Sequence, residues 1–343
     1  MSYLIIGFFL IVLAYIGHYK KQVRWVLFFF MTIVLGYRYD VGTDFLSYKE
    51  YFYARGDYLE PGFNFICSVV ARLSGSAYDM FYIIAFISLF FITLALNKKG
   101  IRYFPTAVLC YVFTFPFFSN GIRQGVAISI FFFAYKFIEE RNLFKYVFFV
   151  TVASLFHYSI LIVLPLYFIF NRSFRVKTYI FIYLISLLFI FFGGDVFFDY
   201  LESYLAFNQR YANYFENDHD MLGSYMSFGV LFRFGIYLFL FILSLKFKFN
   251  ERYPLVFNLF FMAVFFFNLR IASYLFNRVE IIFSLFQYMI IPLIVANCRK
   301  KPNGIIIISM IVLAYLAFAI QTYFLDDANH LYPYLNVLTY RKF

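Results

Sequence analysis

Several stretches of this 343-residue chain carry side chains suited to chemistry on an anion or a hydroxyl. In Ser119-Asn120-Gly121-Ile122-Arg123-Gln124-Gly125 a capping sequence precedes a helix start. Free backbone N–H groups at a helix N-terminus attract phosphate. Here a guanidinium, Arg123, and an amide, Gln124, join them on the same turn, with glycines that let a ligand approach closely. The plainer account of Arg123 is an interfacial arginine reaching for lipid headgroups. Arg270 and Arg278 flank Ile271–Asn277, and on a continuous α-helix eight residues return to within roughly 80° of one face. Arg233, placed inside an apolar run, and Arg210, in a polar segment, could meet the same ligand or merely a counter-ion or water.

The acids and the histidines offer the base. Arg38-Tyr39-Asp40-Val41-Gly42-Thr43-Asp44 sets two carboxylates four apart beside an arginine. Two carboxylates with no nearby histidine are too few for a protein-only metal cage, so no metal is expected, and hydroxyl binding or a loop-ordering ion pair is the better reading. Glu60 precedes Pro61-Gly62, a turn signal that by itself explains most of the pattern. His157 lies in an apolar run, and imidazole suits a general base for a hydroxyl, although a lone buried histidine is more often structural. His219 and His330, in polar segments, rank below it.

The elements that must position these groups are membrane helices. Hydrophobic residues make up 64% of the chain and mean hydropathy is +0.78, more apolar material than a soluble domain can bury. Cys67, Cys110 and Cys298 show no metal or disulfide spacing. No Walker loop, dinucleotide fingerprint, GxSxG or HExxH occurs, so neither nucleotide hydrolysis nor the commoner hydrolase chemistries have support. The net charge of +11 follows the positive-inside rule rather than an affinity for nucleic acid.

Six short connectors, 18–24, 97–102, 136–145, 171–177, 246–252 and 298–303, hold 18 of the 29 Lys and Arg residues and read as cytoplasmic. The expected fold is all-α, a single transmembrane domain over 1–343 with roughly ten spans near 3–17, 23–37, 79–96, 103–118, 122–138, 178–194, 225–245, 253–268, 277–297 and 304–324. Segments 37–78 and 195–224 and the tail 325–343 then face outward. Residues 146–170 run between two basic connectors yet are too short to cross twice, so a re-entrant helix pair turning near Phe156–Ser159 competes with one exceptional span. Of the basic residues outside the connectors nine are arginine, against only Lys49 and Lys342. Orientation needs only charge, whereas a diphosphate or carboxylate suits a planar fork of donors.

At these residues the chain resembles the EpsG and Wzy-like family of bacterial exopolysaccharide and O-antigen polymerases. The stretches that carry the likeness are RYDVGTDFLSY ending at Tyr48, EPGF at 60–63, SNGIRQGVAISIFFFA at 119–134, SLFHYS at 154–159 with Pro165 after it, and RIASYLFNR at 270–278. The resemblance implies a GT-C-like fold in the bacterial inner membrane, with the active site facing the periplasm or cell exterior. It also implies metal-independent, cofactor-free transfer of a glycan from undecaprenyl diphosphate to a hydroxyl of another lipid-linked oligosaccharide, with a chain-length regulator as a possible partner. Carried onto this sequence, Arg123, Gln124, Arg210, Arg270 and Arg278 hold the diphosphate. His157, Asp40, Asp44 or Glu60 supplies the base, and Arg38, Tyr48 and Arg233 are further substrate contacts. A lipid-oligosaccharide flippase would need arginines but no base, and a polysaccharide acyltransferase would need a histidine with a nearby acid, which His157 lacks in sequence. A non-enzymatic scaffold would tolerate loss of the arginines.

Overall fold

The computed structural model describes residues 3–98, 100–192, 228–272, 276–325 and 331–338. Among them the regular structure is helical, without a strand, and the single bridge pairs Arg38 with Asn336. Contacts divide the chain into two compact units, one from Met1–Tyr167 with Pro302–Phe343 and the other from Phe168–Lys301.

The first unit opens with α1 (Tyr3–Tyr19), α2 (Lys21–Gly36), α3 (Phe45–Tyr53), α4 (Pro61–Arg72) and α5 (Ala77–Leu96). It continues with α6 (Tyr103–Asn120), α7 (Ile122–Ala134), the short α8 (Lys136–Glu139), α9 (Leu143–Ser154) and a 3₁₀ helix, Tyr158–Phe168. The second unit holds α10 (Val176–Phe192), α11 (Phe228–Lys246), α12 (Phe249–Arg252), α13 (Pro254–Ala272), α14 (Asn277–Ser284) and α15 (Gln287–Cys298). The chain then returns to the first unit as α16 (Gly304–Ile320), prolonged by a π-turn to Leu325.

Local sequence sets the boundaries. Ser76 and Asp79 form a reciprocal capping box that starts α5, with the Ser76 N–H and Oγ–H both donating to Asp79 Oδ2 at 2.7 Å. α7 is buried on nearly every side from Gln124 to Tyr135, as a helix apolar all round must be, and it forms the core against α5, α6 and α9. At the periphery α16 exposes Ile305, Met310, Leu313 and Leu316, an apolar surface that only lipid would cover without penalty.

Among the described residues four helices are long and apolar enough to cross a bilayer, Ala77–Leu96, Gly229–Lys246, Pro254–Ile271 and Gly304–Leu325; α14 with α15, bent by 47°, makes a fifth if the pair is one span. Helices occupy the other segments expected to span, but α1 and α2 have only 17 and 16 residues and α7 only 13. Among the described residues length and apolarity by themselves support four to five crossings, about half the number the charge pattern leads one to expect.

Side chains tie the basic connectors together at one end of each unit. Arg24 donates to the Gly17 carbonyl and to Asn97 Oδ1, both at 2.7 Å, and lies over the Tyr103 ring. Lys98 bonds Glu139, so the first three connectors share an end. In the second unit Asn258 donates to the carbonyls of Phe170 and Arg172, and Asn250 to that of Phe174. The grouping is the one the charge pattern calls for.

α9 and the 3₁₀ helix fold back on each other. The Tyr146 hydroxyl, in the first turn of α9, donates to the Val163 carbonyl at 2.6 Å, and its ring lies 5.4 Å from that of Tyr167. Two consecutive helices laid end to end would hold these residues more than 20 Å apart. The segment is a hairpin whose tip is Leu155–His157, and α9 rises only about 18 Å, short of a full crossing.

Candidate functional site

The residues at the end of the first unit remote from its basic connectors come from four separate stretches. The first is the loop after α2. Arg38 is 1% exposed and clamps it, donating to the carbonyls of Leu35 (2.9 Å), Val41 (3.1 Å) and Ser119 (3.0 Å), with its guanidinium over Phe81. The carbonyls of Leu35 and Ser119 lie in the last turns of α2 and α6, where intrahelical partners run out. Burial pushes the Arg38 pKa down to about 10, which still leaves it charged at neutral pH. Gly42 has φ +99°, and a Cβ there would meet the Ser119 carbonyl at 2.7 Å, so only glycine lets this loop lie on the end of α6. Tail residues 331–338 cover the other side: Tyr39 N–H donates to Leu335, Val337 N–H to Tyr37, and Tyr334 Oη to Val34.

The second stretch is EPGF. Glu60 precedes a proline and is held extended (φ −63°, ψ 146°), which stands its carboxylate off the start of α4. Pro61 takes the first helical position, where no N–H is needed. The Gly62 N–H, one of the unpaired donors of the first turn, reaches the Leu155 carbonyl at the hairpin tip at 2.8 Å. Phe63 is fully buried and packs its ring on Tyr48 and Tyr51.

Arg123, in the first turn of α7, and His157, at the hairpin tip, converge on Glu60. Arg123 Nη1 bonds Glu60 Oε2, Arg123 Nε donates to the Tyr48 hydroxyl at 3.3 Å, and His157 Nδ1 lies 3.0 Å from Glu60 Oε1. The Glu60 and His157 side chains are 8% and 11% exposed, whereas Arg123 is 21% exposed and is the open edge of the cluster. Burial alone would raise the Glu60 pKa; the His157 hydrogen bond and the Arg123 charge outweigh it and bring it down to about 2. In the neutral imidazole, donation from Nδ1–H to an ionised Glu60 leaves the lone pair on Nε2. That nitrogen is buried and has no hydrogen-bond partner among the described residues. An imidazole oriented by a carboxylate, with its far nitrogen unpaired, is the arrangement of a general base.

The other expected residues of this unit are placed as follows. Asp40 is exposed in left-handed backbone (φ 50°), and Asp44 stands at the N-cap position of α3 beside Thr43, near enough for its charge to act on the Tyr48 hydroxyl. Gln124 is buried. Arg38, expected to touch substrate, is instead enclosed and spends its donors on backbone carbonyls, so it positions the loop.

The second unit has its own charged cluster, centred on Glu280, which is fully buried. Tyr237 Oη donates to its Oε1 at 2.6 Å, Arg233 Nη2 lies 3.5 Å from the same oxygen, and Arg270 Nη1 donates to Oε2 at 3.4 Å. Arg278 is exposed. The eight-residue return expected for Arg270 and Arg278 does not apply, because Arg270 ends α13 and Arg278 opens α14. These helices run antiparallel, as the stacked rings of Phe266 and Phe283 show. Tyr237 was not among the sequence candidates; its signal is the four-residue spacing from Arg233, which sets both on one helix face. Arg210, His219 and His330 lie outside the described residues, as does the expected outer segment 195–224. Among the described residues no three His, Cys, Asp or Glu side chains form a group that could hold a metal ion.

The family model described as EpsG family matches residues 21–336, a range that contains both clusters. No curated protein and no solved structure matches the chain.

Proposed function

The chain belongs to the EpsG family, and from that premise we propose that it is a polysaccharide polymerase of the bacterial inner membrane, transferring a glycan from undecaprenyl diphosphate to a sugar hydroxyl of a second lipid-linked repeat unit. The observation that carries this reading is the meeting of Arg123, Glu60, His157 and Tyr48 from four distant stretches, with His157 Nε2 left unpaired. In the proposed step the acceptor hydroxyl oxygen bonds to the anomeric carbon of the donor glycan while its proton passes to His157 Nε2. The bond from that carbon to the phosphate oxygen breaks, and its electron pair leaves on undecaprenyl diphosphate. Arg123 and the N–H groups of the first turn of α7 take up the developing charge, a role that preorganised donors perform well away from water. The proton is then released to solvent. Neither metal nor cofactor enters this scheme.

The wider reading includes the ten-span, GT-C-like topology, with the hairpin re-entrant from the cytoplasmic side and the site open to the periplasm or cell exterior. Arg233, Arg270, Arg278 and Arg210 carry the diphosphate assignment on chemistry alone, with Gln124 beside Arg123. Asp40 and Asp44 are proposed to meet the acceptor sugar, and a chain-length regulator to act as partner. A second reading gains from the structure: the acid that His157 lacks in sequence is supplied in space by Glu60, so an acyltransferase that decorates polysaccharide has the base it needs.

The test is purified protein in liposomes supplied only with lipid-linked repeat units from the producing cell, with and without a chelator. A gel ladder that survives the chelator and disappears in His157→Ala is expected. Folded protein that makes no ladder, or that instead incorporates label from an acyl donor, overturns the polymerase reading.

A further inference from the structure

Glu60 serves two partners through different oxygens, Oε2 for Arg123 and Oε1 for His157. Its backbone is pinned on the side of α4, by Pro61 at the helix start and by the Gly62 bond to Leu155, while its side chain has three rotatable bonds. Of the three side chains Arg123 is the most exposed, so an incoming anion meets the guanidinium first. A carboxylate and a phosphoryl group offer a guanidinium the same kind of planar, anionic oxygen contact. The position a diphosphate oxygen would take at Nη1 is therefore already filled from within the chain.

We propose that Glu60 is a built-in stand-in for the diphosphate at Arg123, and that donor binding displaces it onto His157, arming the base only when the leaving group is seated. This rests on the polymerase reading. While Glu60 is shared, Arg123 offsets part of its charge, and its pull on the imidazole N–H is less than an undivided carboxylate would exert. Once a diphosphate oxygen replaces Oε2 at Arg123, the whole carboxylate charge acts on Nδ1–H and Nε2 becomes a stronger proton acceptor. No covalent bond changes in the exchange; one anion replaces another on the guanidinium. The donor must then bind before the acceptor is deprotonated, and an acceptor bound alone meets an unarmed base. Glu60 in this scheme is a positioning residue that acts through His157.

The experiment measures binding of undecaprenyl diphosphate to purified wild type and Glu60→Gln in detergent micelles, alongside steady-state turnover. Removing the internal competitor should tighten binding about tenfold, the effect of deleting one modest ion pair that binding must otherwise break. Turnover should fall in the same variant, so that KM for the donor and kcat decrease together, a split that a merely structural role would not produce. Folded Glu60→Gln that binds undecaprenyl diphosphate no more tightly than wild type overturns the exchange, whether or not the wild type polymerises. Should the variant fail to fold, the wild type labelled with ¹⁵N-histidine answers instead. The Nδ1 proton of His157 should move downfield on saturation with undecaprenyl diphosphate, and an unmoved signal overturns the proposal. Tighter binding by Glu60→Gln in a protein whose wild type makes no ladder supports the exchange and refutes only the polymerase reading.

Discussion

Replacing Gly62 by alanine adds one methyl group where the molecule has no room for it. The new Cβ would stand 2.8 Å from the Leu155 carbonyl oxygen and 3.0 Å from its Cβ, and the oxygen belongs to backbone that cannot swing aside. Ordinary contact begins at 3.4 Å, so α4 and the hairpin tip must separate by about 0.6 Å. Glu60 lies two residues before this contact and His157 two residues after its partner, so the separation falls on their 3.0 Å hydrogen bond. At about 3.6 Å that bond is no longer one. A displacement near 1 Å costs on the order of a hundredfold in rate, so roughly tenfold is expected here, with about 1–3 kcal/mol lost from overpacking. The assay is the initial rate of ladder formation in liposomes, with melting in detergent as the fold control and undecaprenyl diphosphate binding as the control for Arg123. Folded Gly62→Ala polymerising at the wild-type rate would refute the claim that this glycine sets the geometry of the acid–histidine pair.

Arg123→Ala should abolish polymerisation while folded protein remains in the membrane, and Arg123→Lys should fail as well if two fixed donors are what the diphosphate needs; in vitro turnover with size-exclusion chromatography reads both. Glu280→Gln leaves Arg233 and Arg270, whose side chains are 27% and 21% exposed, without the fully buried anion they share, so heat resistance in detergent should fall by the equivalent of about 1–3 kcal/mol. Acid should act on Glu60 only late. Its pKa lies near 2 in the fold against an ordinary 4.5, so its ionised form stabilises the protein fully above about pH 4.5, and that contribution is lost as pH falls from there through 2. Melting temperatures of wild type and Glu60→Gln should therefore differ at pH 7 and converge across that window; a constant difference would refute the assignment.

The legible part of the fold rested on one-dimensional signals. Basic connectors marked one end of the helices, and the Arg24–Asn97 and Lys98–Glu139 contacts bear out their grouping. The hairpin at 146–170 could be read because a length between two charge clusters limits what a helix can do. Arg123 does fall in the first turn of a helix, but Ser119 and Asn120, read as its cap, end α6 instead, and Gly121 holds the N-cap position without a side-chain bond; Pro61, read as part of a turn, opens α4. Pairings across the chain were not legible. Glu60 and His157 are 97 residues apart, and nothing near either one announces the other. Arg38 shows why residue type alone misleads: a guanidinium is equally suited to a phosphate or to three carbonyls, and only the loop folded over by Gly42 decides for the carbonyls. Arg270 and Arg278 were set on one helix because periodicity does not register a chain reversal between them.

The tail that lies against Tyr37 and Tyr39 imposes a timetable on biosynthesis. Tyr334 bonds the carbonyl of a residue 300 positions earlier, so the end of α2 cannot be completed until nearly the whole chain has been made. At about 5–20 residues per second that interval is on the order of 15–60 s, during which the second unit must be inserted while the Arg38 loop waits uncovered. A ribosome that stops before residue 331 would release a chain with its membrane helices in place and its loop unfinished. Such a product is a ready target for membrane proteases, so only chains translated through the tail would persist.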